Sequence, residues 1–206
     1  MKFFNIQILG DPNDESLCML DRFVQGLERD DYKVMRGKRF GADYPADPAD
    51  ARIFMSPDRR GMKLCSLIGN THNMLVVSSQ FKAAIEKHCQ GVDIEYLPFT
   101  LYDHRKRVHS RDYFIINPIG TFDCLDEAAS GVKYGSQPDF VIGLDELVLD
   151  RNKVKDAPQL FRVKQKPAEY IIGVELGREM FNLGLTNIVW KKLRFADELG
   201  KTGSGA

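Results

Sequence analysis

The chain has 206 residues, 43% hydrophobic and 28% charged, with 29 basic and 29 acidic residues and hence no formal net charge. This is the make-up of one ordinary globular domain, or of two small lobes sharing an interface, and it can bury a real core. Zero net charge nominates neither nucleic acid nor an anionic membrane as partner, and no apolar run nears the ~20 residues of a membrane span.

The opening Met-Lys-Phe-Phe-Asn-Ile-Gln-Ile-Leu-Gly alternates apolar and polar positions before Asp11 and Pro12, which predicts a first strand at Phe3 to Leu9 and not a signal peptide. Asp14 or Ser16 can cap a helix carrying Leu17, Leu20, Phe23, Val24 and Leu27 at three- and four-residue steps. From Arg36 to Arg60 the chain holds Gly37, Gly41, Pro45, Pro48 and Pro57, which predicts a long surface loop with a short strand at Arg52 to Met55.

Next come the apolar run Met74 to Val77 and then Ser78 or Ser79 as a helix cap. Phe81, Ala84, Ile85 and His88 share one helical face, Gly91 is a stop, and Val92 to Tyr102 is extended. A second strand, helix and strand are expected at Tyr170 to Val174, Leu176 to Leu183 and Ile188 to Phe195, with Gly184 between. The two units are alike either by duplication or because caps and glycine stops recur for physical reasons. Between them Tyr113 to Ile116, Phe140 to Ile142, Leu147 to Leu149 and Leu160 to Val163 have strand character. The expected fold is α+β: a mixed, mainly antiparallel sheet with amphipathic helices packed on it.

Motifs for catalysis fail on nameable grounds. Gly200-Lys201-Thr202 would need a glycine where Phe195 stands to form a phosphate loop. His104 and His109 lie among Arg105, Lys106, Arg107 and Arg111, whose charge repels a cation. His88 and Cys89 are adjacent on a helix and point about 100° apart. Gly10-Asp11-Pro12 lacks the later glycines of a dinucleotide fingerprint. The acids Asp123, Asp126, Asp145 and Glu146 would have to converge to hold Mg²⁺, and read more simply as turns and caps. The four cysteines, Cys18, Cys65, Cys89 and Cys124, are scattered and lack metal-ligand spacing. The expectation is a soluble cytoplasmic binder without cofactor, metal or catalytic residues. The competing class is a metal-dependent or nucleotide-binding enzyme or regulator with a site assembled from distant residues.

Asp112-Tyr113-Phe114-Ile115-Ile116-Asn117-Pro118-Ile119-Gly120-Thr121-Phe122-Asp123-Cys124-Leu125-Asp126 resembles the signature of a family of bacterial immunity proteins from polymorphic toxin systems. In the same order, Leu75-Val76-Val77-Ser78, Glu95-Tyr96-Leu97-Pro98-Phe99, Leu160-Phe161-Arg162-Val163, Val174-Glu175-Leu176 and Gly184 to Phe195 resemble its other motifs. Where the family often has Val-Ser before its last helix, this chain has Gly173-Val174, and Ala128 to Gly143 is hard to match. The resemblance spans residues 73 to 195, with residues 1 to 72 as part of the same globule and 196 to 206 as a disordered tail. It implies an inhibitor that binds a cognate secreted antibacterial toxin, of the nuclease type in many such systems.

Between Asp112 and Asp150 stand eight acids against one base, Lys133. An inhibitor of a nuclease competes with a polyanion, which an acidic surface does by charge complementarity. The candidate partner surface is therefore Asp123, Asp126, Glu127, Asp139, Asp145 and Glu146, with Tyr134 and Phe140 as aromatic anchors. Arg105, Lys106 and Arg107 form a rival site for an acidic toxin surface, and the Arg36 to Arg60 loop is a third candidate.

Overall fold

The computed structural model describes residues 1–137 and 140–199. In chain order the first strands and helix are β1 (Phe3–Ile6), β2 (Met19–Leu20), α1 (Asp31–Met35), β3 (Arg52–Phe54) and β4 (Gly69–Asn70). There follow β5 (Leu75–Ser78), α2 (Ser79–His88), β6 (Ile94–Tyr102), β7 (Val108–Pro118), β8 (Lys133–Tyr134), β9 (Val141–Gly143) and β10 (Val148–Leu149). The chain closes with β11 (Leu160–Val163), β12 (Lys166–Gly173), α3 (Val174–Asn182), β13 (Trp190–Lys192) and β14 (Arg194–Phe195). A 3-10 turn at Ala196–Glu198 occupies the start of the predicted tail, and residues 200–206 lie outside the described residues.

The architecture is α+β, built on two four-stranded sheets of order β3-β6-β7-β5 and β11-β12-β1-β13. Each sheet carries one strand–helix–strand unit. β5 and β6 both run antiparallel to β7 between them, while α2 crosses from one to the other. β12 and β13 flank β1 in the same way, joined by α3. The units differ in their fourth strand. β3 lies parallel to β6, the strand leaving its helix, whereas β11 lies antiparallel to β12, the strand entering its helix.

Alternation along the strands sorts their side chains into separate cores. Leu75, Val77, Ile116, Tyr170 and Ile172 point to a shared central core with Phe81 and Ile85 of α2 and Leu176 and Met180 of α3. Their neighbours Val76 and Ile115 face a second core on the other side of the first sheet. Ile171, with Phe3 and Phe161, faces a third on the far side of the second sheet. Thus α2 and α3 lie inside, between the sheets, while mostly irregular chain, with the short α1, covers the outer faces.

Two sequence expectations are corrected in the cover of the first sheet. No helix forms over Leu17 to Leu27. Instead the Cys18 N–H donates to Lys63 O at 2.9 Å, the Lys63 N–H to Ser16 O at 2.9 Å, and β2 pairs in parallel with β4. The apolar spacing that fits a helix serves to bury Leu20, Phe23 and Val24 from a chain of turns. Segment 36–60, expected as a surface loop, contributes Phe40, Tyr44, Ala51 and Ile53 to the core. Its backbone is satisfied from β6: Glu95 accepts the N–H groups of Phe40 and Gly41 at 3.0 and 2.9 Å, and the Tyr44 hydroxyl donates to Pro98 O at 2.9 Å.

Helix α2 begins as its sequence predicts, with Ser78 Oγ accepting from the Phe81 N–H. Helix α3 has Gly173 at the same place, and a side chain from elsewhere does the work. Gln159 Oε1 accepts the Glu175 and Leu176 N–H groups at 3.1 and 3.2 Å. A Cβ on Gly173 would stand 2.7 Å from Gln159 Cδ, so the missing side chain is what lets Gln159 reach the helix end.

Candidate partner-binding surface

The predicted acidic stretch lies in the cover of the second sheet. Cys124, Leu125 and Leu149 sit in its core beside Phe161 and Ile171, fixing both ends of an excursion from residue 126 to 147. Ser130 is its internal anchor: fully buried, its hydroxyl both donates to Val148 O and accepts the Val148 N–H at 3.1 Å. Its carbonyl takes the N–H groups of Asp145 and Glu146 at 3.0 and 3.3 Å. From this base β8 and β9 pair as an antiparallel hairpin.

The hairpin exposes large apolar groups. Tyr134 is 43% exposed, Phe140 58% and Ile142 64%. Phe140 and Ile142 converge over Gly135, whose absent Cβ would lie 2.9 Å from one and 3.1 Å from the other. Exposed aromatics clustered on a braced hairpin are the kind of surface that a partner desolvates. Ile142 was not among the sequence candidates; alternation along a three-residue strand gives too short a pattern to single it out.

The acids fall into two groups. The Tyr134 hydroxyl donates to Glu127 Oε1 at 2.6 Å and Gln165 Nε2 to the same oxygen at 3.0 Å. These two bonds, the tyrosine's first, hold the Glu127 carboxyl below its ordinary range, so it is anionic at neutral pH. Asp126 lies one residue away, its Oδ1 accepting the Ala129 N–H at 2.9 Å. Neither acid is in an ion pair with a described residue.

The other described candidates are paired with bases, most of which arrive from outside the stretch. Asp123 pairs with Lys153 at 2.9 Å, Asp145 with Lys133 at 3.2 Å, and Glu146 with Lys191 at 3.1 Å and with Arg194. Burial works against the charge of Asp123, yet Lys153 outweighs it and keeps the carboxyl low. Arg194 first, then Lys191, do the same for Glu146. Asp139 lies outside the described residues. The structure therefore brings Asp126, Glu127 and Tyr134 together, with Phe140 and Ile142 on the same hairpin, and sets the remaining acids in internal pairs.

The rival basic run is divided too. Arg107 forms a two-pronged pair with the buried Asp103, at 2.9 Å from Nε and 2.8 Å from Nη2, while Arg105 and Lys106 stay exposed. His72 is held by Asp31 at 3.0 Å and by Asp21 O at 2.8 Å. His88 faces Glu179 of α3 at 3.6 Å. Among the described residues no group of three or more His, Cys, Asp or Glu converges as metal ligands. No described helix is long and apolar enough to cross a membrane.

A model of the immunity protein family Imm11 matches residues 13–194. It starts well before Asn73, where the resemblance in the sequence begins. No curated protein matches the chain. With nearly its whole length matched, the chain belongs to the Imm11 immunity protein family.

Proposed function

We propose that this member of the immunity family binds and neutralises a cognate secreted antibacterial toxin in the cytoplasm of the cell that makes it, acting by occupancy and not by catalysis. Family membership supports that role, and the exposed hairpin surface supplies a place for it. The observation that carries the reading is the joining of Glu127 to Tyr134 beside the exposed Phe140 and Ile142. A charged acceptor is held next to apolar anchors on a base fixed by buried Ser130. Such a surface loses little freedom on binding, because its side chains are already placed.

In this reading Glu127, Tyr134, Phe140 and Ile142 form the centre of the interface and Asp123, Asp126, Asp139, Asp145 and Glu146 its rim. The toxin is a nuclease-type domain whose basic groove the acidic side meets by electrostatic attraction. The test is co-expression with the toxin domain encoded beside this chain's gene. Wild-type protein should restore growth, and reversing the charges of Asp126, Glu127 and Asp139 together should weaken toxin binding and protection. Growth arrest that persists at full co-expression would overturn the immunity reading for that pair. Unchanged affinity in the triple variant would remove this surface from the interface.

A further inference from the structure

One concavity among the described residues is lined by no residue of the hairpin. It is a half-open groove of about 620 Å³ at the β3 edge of the first sheet, bounded by residues 21–28, β3, residues 55–60 and the β6–β7 turn. We propose that this groove is a second contact for the toxin, receiving a segment that carries a carboxylate next to an apolar side chain. The inference rests on the immunity reading and assigns it a surface that the acidic hairpin does not include.

Its floor is aromatic. Phe54 and Tyr102 are register partners on the parallel strands β3 and β6, with ring centroids 5.2 Å apart and both rings partly exposed. β3 stands outside the pair of strands that α2 joins. An apolar side chain laid on the two rings would bury aromatic surface that the free molecule leaves partly exposed.

Its walls are cationic. Arg22, Arg52, Arg60 and Lys106 line the groove and are exposed, and none is in an ion pair with a described residue. Arg52 makes only a 3.3 Å bond from Nε to Ala49 O. Elsewhere this chain pairs its charges freely, as Lys133, Lys153, Lys191 and Arg194 show. Of the three acids in the groove, buried Asp103 is already engaged by Arg107, and Glu28 takes the Gly26 N–H. Four unneutralised cations thus face two acids, Asp21 and Glu28.

The position of Lys106 is fixed. It adopts a left-handed backbone (φ +59°), and Asp103 Oδ1 clamps the turn by accepting the N–H groups of Arg105 and Arg107 at 2.8 and 2.9 Å. One wall also contains His104, whose buried Nε2 has no partner among the described residues.

A protein segment suits this shape better than a small ligand, which is normally enclosed over most of its surface. Arginines pair with carboxylates in a two-pronged geometry. Asp21 and Glu28 oppose a polyanion, so nucleic acid is disfavoured, but they accept bonds from the backbone or a basic residue of a peptide.

The test uses the inactivated toxin domain encoded beside this gene, with the full chain as binder. Arg52→Glu, Arg60→Glu and Lys106→Glu are combined and compared with a control triple, Lys2→Glu, Lys155→Glu and Lys192→Glu, at exposed cations outside the groove. Circular dichroism confirms that each variant is folded. The groove triple should bind at least tenfold more weakly, chiefly through slower association, and with a shallower salt dependence than wild type. The control should bind within threefold of wild type. ATP and a single-stranded DNA oligonucleotide should bind neither protein. Wild-type binding with equal affinity and salt dependence in the groove triple would overturn the groove while leaving the immunity reading intact. Saturable binding of either phosphate probe, lost in the groove triple, would also overturn it and make the groove a phosphate site. A wild-type protein that fails to bind the toxin would sink both.

Discussion

Asn117 joins the two halves of the molecule through Arg162. Its Oδ1 accepts from Arg162 Nη2 at 3.2 Å while its Nδ2 donates to Glu95 Oε2 at 3.1 Å and to Lys38 O at 2.9 Å. Arg162 is 1% exposed. It reaches from β11 in the second sheet to the end of β7 in the first, where Nε donates to Pro118 O at 2.9 Å. Nη1 donates to Pro167 O and Nη2 also to the Tyr170 hydroxyl, both at 2.8 Å, and Cζ lies 4.2 Å from the Tyr170 ring centroid. The nearest negative charge in this chain of bonds is Glu95, which also holds the segment covering the first sheet. A buried cation solvated mainly by carbonyl, amide and hydroxyl groups is stable only while all of them stay in place.

Arg162→Ala should therefore cost about 3–5 kcal/mol, since it opens a cavity and leaves the buried acceptor at Pro118 and the part-buried one at Pro167 without donors. Arg162→Met, which keeps most of the stem, should cost less. Urea unfolding of the two variants checks the order. If both variants lose less than about 1 kcal/mol, the bonds donated by Arg162 are not what holds the halves together.

The hairpin and its flanking ion pairs should separate stability from binding. Phe140→Ala and Ile142→Ala remove exposed groups, so unfolding midpoints should barely move, while toxin affinity should fall about tenfold, or 1.4 kcal/mol, for each. Glu146→Gln should do the reverse. Its carboxylate is held by Arg194 and Lys191, so the variant should lower stability and change affinity less than threefold. Calorimetric titration alongside thermal melts reads both axes.

Acid should act on the turn that positions Lys106. The backbone N–H of Arg107 first, aided by its guanidinium and the Arg105 N–H, holds the Asp103 carboxyl at about 2. Its folded-state value lies below the ordinary aspartate value of about 3.9. The stability this gives is complete above that ordinary value and is lost as pH falls toward the folded one. Between pH 4 and 2 wild type should lose more stability than Asp103→Asn, which keeps an acceptor oxygen and no charge. Parallel slopes for the two proteins across that window would show that the carboxylate contributes nothing specific.

Local features were legible in the sequence and long-range compensation was not. The Ser78 cap and the Gly91 stop lie within a few residues of the helix they bound, so the α2 unit could be read directly. Leu17 to Leu27 has helical spacing, but spacing says nothing of the strand at Gly69–Asn70 that takes its backbone instead. The eight acids from Asp112 to Asp150 read as one charged face because their partners Lys153, Lys191 and Arg194 stand 30 to 48 residues away from the acids they bind. The resemblance motifs were visible for another reason. Glu95, Asn117, Pro118 and Arg162 all belong to one hydrogen-bonded network between the sheets, so many of the recognisable residues are those of the scaffold.

The two helix starts offer the sharpest test of one such compensation. Ser78 caps α2 from within its own sequence, whereas α3 borrows Gln159 across a gap that only glycine at 173 leaves open. Gln159→Ala should cost about 1 kcal/mol, the usual worth of a lost cap. Gly173→Ser supplies an oxygen at the position where Ser78 works, but its Cβ collides with the Gln159 amide, so alone it should also destabilise. Combined with Gln159→Ala the collision is gone and the serine can take the orphaned N–H groups of the first turn. The double variant should then be more stable than either single one, a coupling that independent sites cannot produce. Additive losses in the double variant would mean that Gly173 is there for its backbone and not for the side chain that reaches past it.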